Sequence, residues 1–281
     1  MAASGRIVAR THQVLKEAAL PGVTTRELDA LAHATVLDLG GEPNFLNYQG
    51  FPASVCVSVN DEVVHGIPGD RVLKLGDVVS FDSGATTSHG GHKWHADGAF
   101  TTIVGDDGSE TATQALQAAI GEDALELRRS LIEVTEDAMW EGVARYATAR
   151  RIGDIGAAIE DYVDGVAAEA AWDPQLVEGY TGHGIGRALH EPPTVHNYRT
   201  RGKGPWVREG MVVCIEPMVT AGPADTKVLR DNWTVVTREG SLSAHFEQTV
   251  ARLRGGIAVL TASDGGVSGL RPFGIDPVIV A

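Results

Sequence analysis

Residues 78–104 read VVSFDSGATTSHGGHKWHADGAFTTIV. Apolar and β-branched residues dominate the two ends of this stretch, at 78–85 and 97–104, whereas 86–93 is polar and rich in glycine and histidine. Two such runs joined by a Gly-containing segment predict a pair of antiparallel strands. This hairpin is the element on which the prediction of the fold rests.

Each predicted strand carries one aspartate, Asp82 or Asp97, among apolar neighbours. A turn at His89-Gly90 would set the two aspartates directly opposite each other, and opposite residues share a face of the sheet. Two close carboxylates in an apolar setting repel each other unless a cation lies between them. The alternative is that each aspartate only hydrogen-bonds to backbone near a turn.

The rest of the chain alternates between helical and extended patterns. A capping box at Thr24-x-x-Glu27 predicts the start of a second helix, strict alternation predicts a strand over 54–59, and Asp154 is a candidate N-cap. The predicted segments are, in order, a helix at about 5–20, a helix from 24 to about 39, strands at 54–59, 78–85 and 97–104, helices within 110–170, and short strands after about 178. This order is typical of an α+β fold with an antiparallel sheet.

The bulk composition excludes several classes of protein. The chain has 281 residues, of which 43% are hydrophobic, so it can bury a large core. Its net charge of −14 repels phosphate backbones, so no nucleic-acid partner is expected, and no apolar run approaches the roughly 18 residues of a membrane span. Two cysteines, Cys56 and Cys214, and the lack of a signal-peptide pattern predict reduced thiols in the cytoplasm.

Three further segments hold candidate ligands. His183 and His190 lie in the glycine-rich stretch GHGIGRALHEPP at 182–193, Glu216 lies in CIEPM, and Glu247 lies in FEQTV. Each alone reads as an ordinary hydrogen-bonded polar residue. Together with the two aspartates they supply four carboxylates and one imidazole, a set that suits Mn, Fe(II), Co or Zn. Two divalent ions would leave such a site close to neutral.

These segments, in this order and spacing, resemble those of the methionine aminopeptidases, type I subgroup, of the pita-bread metallopeptidases. The likeness extends from about residue 5 to 253, and no single piece would be specific, because prolidases share several of them. The pieces that carry the likeness are NYQGFPASVC (47–56), HGIP (65–68), DSG (82–84), HAD (95–97), GHGIGR (182–187), IEPM (215–218) and SAHFE (243–247).

The resemblance implies a fold and a division of the chain. The expected fold is α+β, with an antiparallel sheet, helices packed outside it and two pseudo-symmetric halves around a dinuclear metal site. Residues 1–255 would form the single catalytic domain, and 256–281 a loosely packed C-terminal extension, as its Gly and Ser content also suggests.

The resemblance also implies roles for individual residues. Asp97 and Glu247 would bridge two divalent ions (Co, Mn, Fe(II) or Zn), Asp82 would complete one ion, and His183 and Glu216 the other. Glu216 would in addition be the base toward a metal-bridging water. The residues expected at the substrate are the histidines His65 and His190 and the methionine-pocket residues Tyr48, Phe51, Cys56 and Trp233, joined by Phe45 and Leu189.

The implied function is removal of the initiator methionine from nascent proteins whose next residue is small. The partner would be the N-terminal methionine of nascent polypeptides, with no nucleic acid and no membrane involved. We expect a cytoplasmic monomer that associates at most transiently with ribosomes.

One departure and two alternatives accompany this interpretation. The interval between Asp82 and Asp97 is about four residues longer than in the family pattern, and His89 and His92 in it are interpreted as solvent-exposed turn residues. No long insertion precedes Glu247, which argues against the type II subgroup. The alternatives are another pita-bread peptidase, such as a prolidase or aminopeptidase P, and a non-catalytic binding module of the same fold.

Overall fold

The structure is a computed structural model and describes residues 1–280. This range contains six α-helices, none of which is both long and apolar enough to cross a membrane. The helices are α1 (Ala2–Ala18), α2 (Thr25–Asp38), α3 (Glu110–Ile120), α4 (Glu122–Thr148), α5 (Gly153–Ala167) and α6 (Val267–Leu270).

The strands alternate with these helices in blocks, as the sequence predicts. They are β1 (Glu42–Pro43), β2 (Val55–Val59), β3 (Glu62–Val64), β4 (Val78–His89), β5 (His92–Ile103), β6 (Pro174–Leu176), β7 (Gly182–Gly184), β8 (Glu191–Val195), β9 (Val212–Ile215), β10 (Met218–Ala221), β11 (Thr226–Val228), β12 (Val235–Thr237), β13 (Ser243–His245), β14 (Glu247–Leu253) and β15 (Gly256–Val259).

One large antiparallel sheet runs through the molecule. Its strand order is β1-β4-β5-β14-β9-β7-β8, with β2 added to β4 and β15 to β14, and two small three-stranded sheets, β13-β10-β6 and β11-β12-β3, lie beside it. Helices α1 and α2 cover the β2–β4–β5 end, and α4 packs on β10, β13 and β14. The predicted α+β class, with helices outside an antiparallel sheet, is confirmed.

The central hairpin forms, but its predicted register is wrong by two residues. Asp82 pairs with Ala99 and Gly84 pairs with Asp97, and the strands continue through the segment that we expected to be a loop. The turn is Gly90-Gly91, with φ angles of 61° and 78°. A two-residue hairpin turn of this type needs positive φ at both positions, which two glycines adopt without strain and His89 does not. Because the error is an even number, both aspartates still share one face.

Of the two helix-start signals predicted from the sequence, the capping box is confirmed and the N-cap at Asp154 is wrong. The capping box is present: the Thr24 hydroxyl accepts from the Glu27 backbone N–H at 3.2 Å, and the Glu27 carboxylate accepts from that of Thr24 at 2.8 Å. Asp154 is not an N-cap, because α5 begins one residue before it. Its carboxylate instead accepts from the backbone N–H groups of Arg150 and Arg151 in the preceding turn.

Of the expected extension, the structure describes residues 256–280, and they are not loosely packed, contrary to expectation. The boundary expected at 255 falls within a hairpin, since β15 pairs with β14 along its whole length. Ile257 and Ala258 are completely buried, and Leu270 in α6 joins the same core as Ile257. The Gly and Ser content of the tail masked this short run of apolar residues, which is buried on both faces of the sheet.

Candidate metal centre and adjoining pocket

Four strands bring the candidate ligands to one face of the large sheet. Cys56, Asp82, Ala99 and Glu247 are successive cross-strand partners on β2, β4, β5 and β14, so their side chains form a row. Asp97 lies two residues before Ala99 on β5 and therefore shares its face. Ala99 carries only a methyl group, which leaves space above the sheet between the flanking carboxylates.

The other two candidates reach this row from the neighbouring strands. His183 is the central residue of β7, and Glu216 directly follows β9. The His183 Nε2 atom lies 3.5 Å from the Glu216 Oε1 atom. Ligand atoms of Asp97, His183 and Glu247, together with the sulfur of Cys214, all lie within 4.8 Å of one another. The five residues singled out from the sequence thus converge on one small volume.

Burial makes this cluster electrostatically unfavourable by itself. Asp97 and Glu247 are 3% and 2% exposed. Burial raises the pKa of Asp97 to about 7. Burial, reinforced by the neighbouring carboxylates, also raises the pKa of Asp82, of Glu216 and of Glu247 well above the usual values. In the described part of the chain, no lysine or arginine lines the cavity to offset these charges.

The hydrogen bonding of the cluster fits a divalent cation. One oxygen each of Asp82, Glu216 and Glu247 is buried without a hydrogen-bond partner in residues 1–280. Unpaired buried carboxylate oxygens are costly, and metal coordination is a standard way to satisfy them. Burial and the nearby His190 lower the pKa of His183 to about 4, so its imidazole is neutral and can act as a ligand. The donor set is therefore suited to hard or borderline divalent ions.

Cys214 was not among the residues predicted for this site. Its sulfur belongs to the cluster, and it contacts the Thr249 hydroxyl at 3.5 Å. Burial, followed by the charge of Glu247, raises the pKa of the Cys214 thiol well above its usual value.

A cavity of about 270 Å³ includes the five candidate ligands in its lining, together with apolar and aromatic side chains. All of the pocket residues predicted from the sequence line it, including the less certain Phe45 and Leu189. Phe51 packs edge-on against Trp233, with ring centroids 5.2 Å apart. Cys56 pairs with Asp82 across the strands, which joins the pocket wall to the group of candidate ligands. The cavity and the candidate ligands form one continuous site.

Two neutral histidines flank the boundary between the pocket and the cluster. The His190 ring lies 4.2 Å from that of His183, and its Nδ1 is 2.8 Å from the Tyr48 hydroxyl. The His65 ring lies 5.9 Å from that of Trp233. Burial lowers the pKa of His65 to about 4 and lowers that of His190 as well. His65 also has a φ of 60°, a strained conformation that is typical of functional sites.

Sequence reasoning missed several lining residues and one buried histidine. Val64 and Tyr180 line the cavity but lie in short segments without a distinctive pattern. Met218 lines it too, although the motif IEPM that contains it was noted only for Glu216. His245 is 1% exposed, and its Nε2 atom lies 4.0 Å from the Glu216 Oε2 atom. The segment SAHFE was noted for Glu247, but its histidine ends β13 and the glutamate begins β14, so the period of two along one strand does not link them.

Comparison with known proteins agrees with this geometry. A family model described as metallopeptidase family M24 matches residues 1–252. Methionine aminopeptidase 1 of Bacillus subtilis is 42% identical over 261 residues, which are 93% of this chain and 94% of the relative. Methionine aminopeptidase 1 of Mycobacterium tuberculosis is 40% identical over 262 residues, with 93% and 91% covered.

Solved structures show the same fold. The methionine aminopeptidases of Thermotoga maritima and Rickettsia prowazekii superpose with TM-scores of 0.80 and 0.78, at 34% and 36% identity, and the alignments cover 94% and 93% of this chain and 95% of each neighbour. The prolidase of Pyrococcus furiosus is 19% identical with a TM-score of 0.65, and only 63% of its length is covered against 94% of this chain. That last likeness shows the fold alone.

Proposed function

The chain belongs to metallopeptidase family M24, and we propose that it hydrolyses the N-terminal methionine from polypeptides whose second residue is small. The observation that carries this proposal is the cavity that the buried carboxylates line together with apolar and aromatic side chains. A peptide whose first side chain fills the cavity presents its amine and first carbonyl to the cluster. The enzyme is therefore a metalloexopeptidase.

The cluster binds divalent metal, and we propose that it holds two ions. Asp97 and Glu247 would bridge them, Asp82 would complete one, and His183 with Glu216 the other. The candidates are Co, Mn, Fe(II) and Zn, which accept oxygen and imidazole ligands. When bound, such a pair activates water at neutral pH and polarises the scissile carbonyl.

Glu216 is the proposed general base. It lies at the edge of the cavity, and burial together with the charges of Asp82 and Asp97 raises its pKa, which makes its carboxylate a stronger proton acceptor. In this role Glu216 takes the proton of the attacking water and delivers it to the leaving amine. The reaction then needs no other acid.

His65 and His190 are proposed to bind and orient the scissile peptide. Both line the cavity, and both are neutral, so each can donate an N–H group without carrying charge. The hydrogen bond with the Tyr48 hydroxyl leaves His190 Nε2 free for the substrate. A donor aimed at the carbonyl oxygen is most valuable where negative charge develops in the transition state.

The pocket composition supports methionine as the first residue. Aromatic walls from Phe51 and Trp233, with Cys56 and Met218 between them, provide a polarisable surface. Thioethers make favourable contacts with aromatic rings, and an unbranched side chain fits an irregular cavity. An x-Pro peptidase does not require such a pocket for the first side chain. A non-catalytic module does not require buried carboxylate oxygens that lack partners.

Nascent polypeptides in the cytoplasm are the proposed substrates. The chain would act as a monomer with at most transient ribosome association, without binding nucleic acid or membranes. The net charge of −14 supports the lack of stable contact with RNA backbone.

The proposal is tested by kcat/KM of the metal-reconstituted protein on Met-Ala-Ser, Met-Lys-Ser and Ala-Pro-Ala. We expect turnover of Met-Ala-Ser only, because a large second side chain would meet the segments that carry His190 and Glu216. Displacement of the carbonyl by about 1 Å costs on the order of 100-fold in rate. Equal rates on the first two peptides would refute the small-residue rule, and preference for Ala-Pro-Ala would refute the methionine pocket.

A further inference from the structure

We propose that His245 is a positioning residue, which holds the second oxygen of Glu216 so that the first faces the metal centre. This inference rests on the proposed role of Glu216. The observation behind it is a buried nitrogen without a partner that faces this carboxylate.

The His245 Nε2 atom is buried and has no hydrogen-bond partner among residues 1–280. The Glu216 Oε2 atom lies 4.0 Å from it. The other oxygen, Oε1, lies 3.5 Å from the His183 Nε2 atom. The Glu216 carboxylate therefore lies between two imidazoles, each nearest to a different oxygen.

The backbone of His245 is fixed on two sides. Its N–H donates to the Thr101 hydroxyl at 2.9 Å, and that hydroxyl donates to the His245 carbonyl at 2.8 Å. On the other side His245 pairs with Met218, which is two residues beyond Glu216. A side chain anchored in this way has few alternative positions, as a residue that orients another one requires.

His245 is not itself placed to touch substrate or metal. It does not line the cavity, and it is not part of the group of ligand atoms around Asp97 and His183. A neutral imidazole carries one N–H group, which can donate to a carboxylate oxygen. A movement of the Glu216 carboxylate by about 1 Å brings Oε2 within N–H···O distance of Nε2.

The two oxygens of the Glu216 carboxylate then have different partners. With Oε2 held by His245, rotation of the carboxylate is restricted and Oε1 stays directed toward His183 and the metal cluster. Partners that hold a metal ligand from behind commonly change metal affinity or activity by 10–100-fold when they are removed.

The test compares His245→Leu, which removes the donor, with His245→Gln, which retains an N–H donor. A matched control is His33→Leu, because His33 is a partly buried histidine of α2 whose Nδ1 contacts the Ser54 hydroxyl, outside the cavity. Apo-protein is titrated with MnCl₂ by calorimetry, and kcat and KM are measured on Met-Ala-Ser. Thermal melting of the metal-free proteins reports on folding.

We expect His245→Leu to weaken Mn²⁺ binding or lower kcat by roughly 10–100-fold with little change in KM. The melting temperature of its metal-free form should not fall, since an unpaired buried nitrogen is removed. His245→Gln should recover most of the loss, and His33→Leu should match the wild type in metal binding and turnover.

The inference is overturned if His245→Leu keeps wild-type metal affinity and kcat, or if His245→Gln is as impaired as His245→Leu. A lower melting temperature in the leucine variant with unchanged metal binding would also overturn it, as the sign of a purely structural residue. Metal titration needs no substrate, so failure of the wild type to cleave Met-Ala-Ser would refute the proposed function separately.

Discussion

Replacement of Asp97 by asparagine should stabilise the metal-free protein and abolish its stabilisation by metal. Asp97 is 3% exposed, and burial raises its pKa to about 7. Asparagine has nearly the same shape but never carries the charge. The substitution therefore removes an unfavourable buried carboxylate and, with it, a proposed bridging ligand.

The rise in the pKa of Asp97 sets the size of the expected stabilisation. A rise from 3.8 to about 7 corresponds to about 4 kcal/mol once the carboxyl is ionised, at roughly 1.4 kcal/mol for each pH unit. For a chain of this size about 2 °C of melting temperature accompanies each kcal/mol, so the expected increase is on the order of 5–10 °C.

The stabilisation expected from Asp97→Asn depends on pH. Below about pH 3 the carboxyl is protonated in both the folded and the unfolded protein, and Asp97 has no charge-related cost. Between the ordinary pKa of 3.8 and the folded value of about 7, the unfolded chain has released its proton and the folded protein has not. The stability of the folded metal-free protein therefore falls with rising pH in this interval and levels off above about pH 7. The asparagine variant lacks this contribution, so its advantage should be about 1.5–2 kcal/mol at pH 5 and about 4 kcal/mol at pH 8.

Thermal melts of both proteins at pH 5 and pH 8, with chelator or with MnCl₂, measure these effects. Asp70→Asn is the control, because Asp70 is an exposed aspartate paired only with Arg26 on the surface. It should leave the metal-induced increase intact. If the metal-free Asp97→Asn variant melts at or below the wild-type temperature at pH 8, or if Mn²⁺ still stabilises it fully, the electrostatic reasoning is wrong.

Three further outcomes are expected. Chelation should abolish cleavage of Met-Ala-Ser and added Mn²⁺, Co²⁺ or Fe²⁺ should restore it, whereas full activity in rigorously metal-free protein would contradict a metal-dependent mechanism. Deletion of both Ser88-His89 and His92-Lys93 keeps the Gly90-Gly91 turn and removes two whole strand pairs. Because the facing of Asp82 and Asp97 is unchanged, kcat/KM should stay within about threefold of the wild type. A much larger loss would show that the hairpin tip takes part in catalysis or substrate binding. Trp233→Ala removes one wall of the pocket and should lower kcat/KM by roughly 10–100-fold, chiefly through KM, with Mn²⁺ binding by calorimetry unchanged.

The sequence predicted the composition of the candidate site better than its local geometry. Asp82, Asp97 and Glu247 stand out because each is a carboxylate among strand-forming apolar residues. Val64 and Tyr180 do not stand out, because their place in the cavity follows from contacts between segments that are distant in sequence. No local pattern encodes such contacts, so these two residues could be found only from the structure.

The hairpin shows why a wrong register still gave the right face. The turn could be placed at His89-Gly90 or at Gly90-Gly91, and only the need for positive φ at both turn residues separates these choices. The two placements differ by two residues in strand pairing, which equals the side-chain period, so Asp82 and Asp97 converge in either case. The packed segment after 255 had no such safeguard, because its five glycines and two serines obscure the short apolar run at 257–260 that enters the core.

The residues that reveal the function are also those that the fold tolerates least. Buried carboxylates with unpaired oxygens and a strained His65 reduce stability unless a ligand compensates them. The apolar strands around Asp82 and Glu247 supply the stability that permits this arrangement. His245 also reduces the stability of the metal-free protein, since its buried imidazole nitrogen has no hydrogen-bond partner among residues 1–280. We therefore expect that substitutions which make this centre more stable without metal will also make it less able to bind metal.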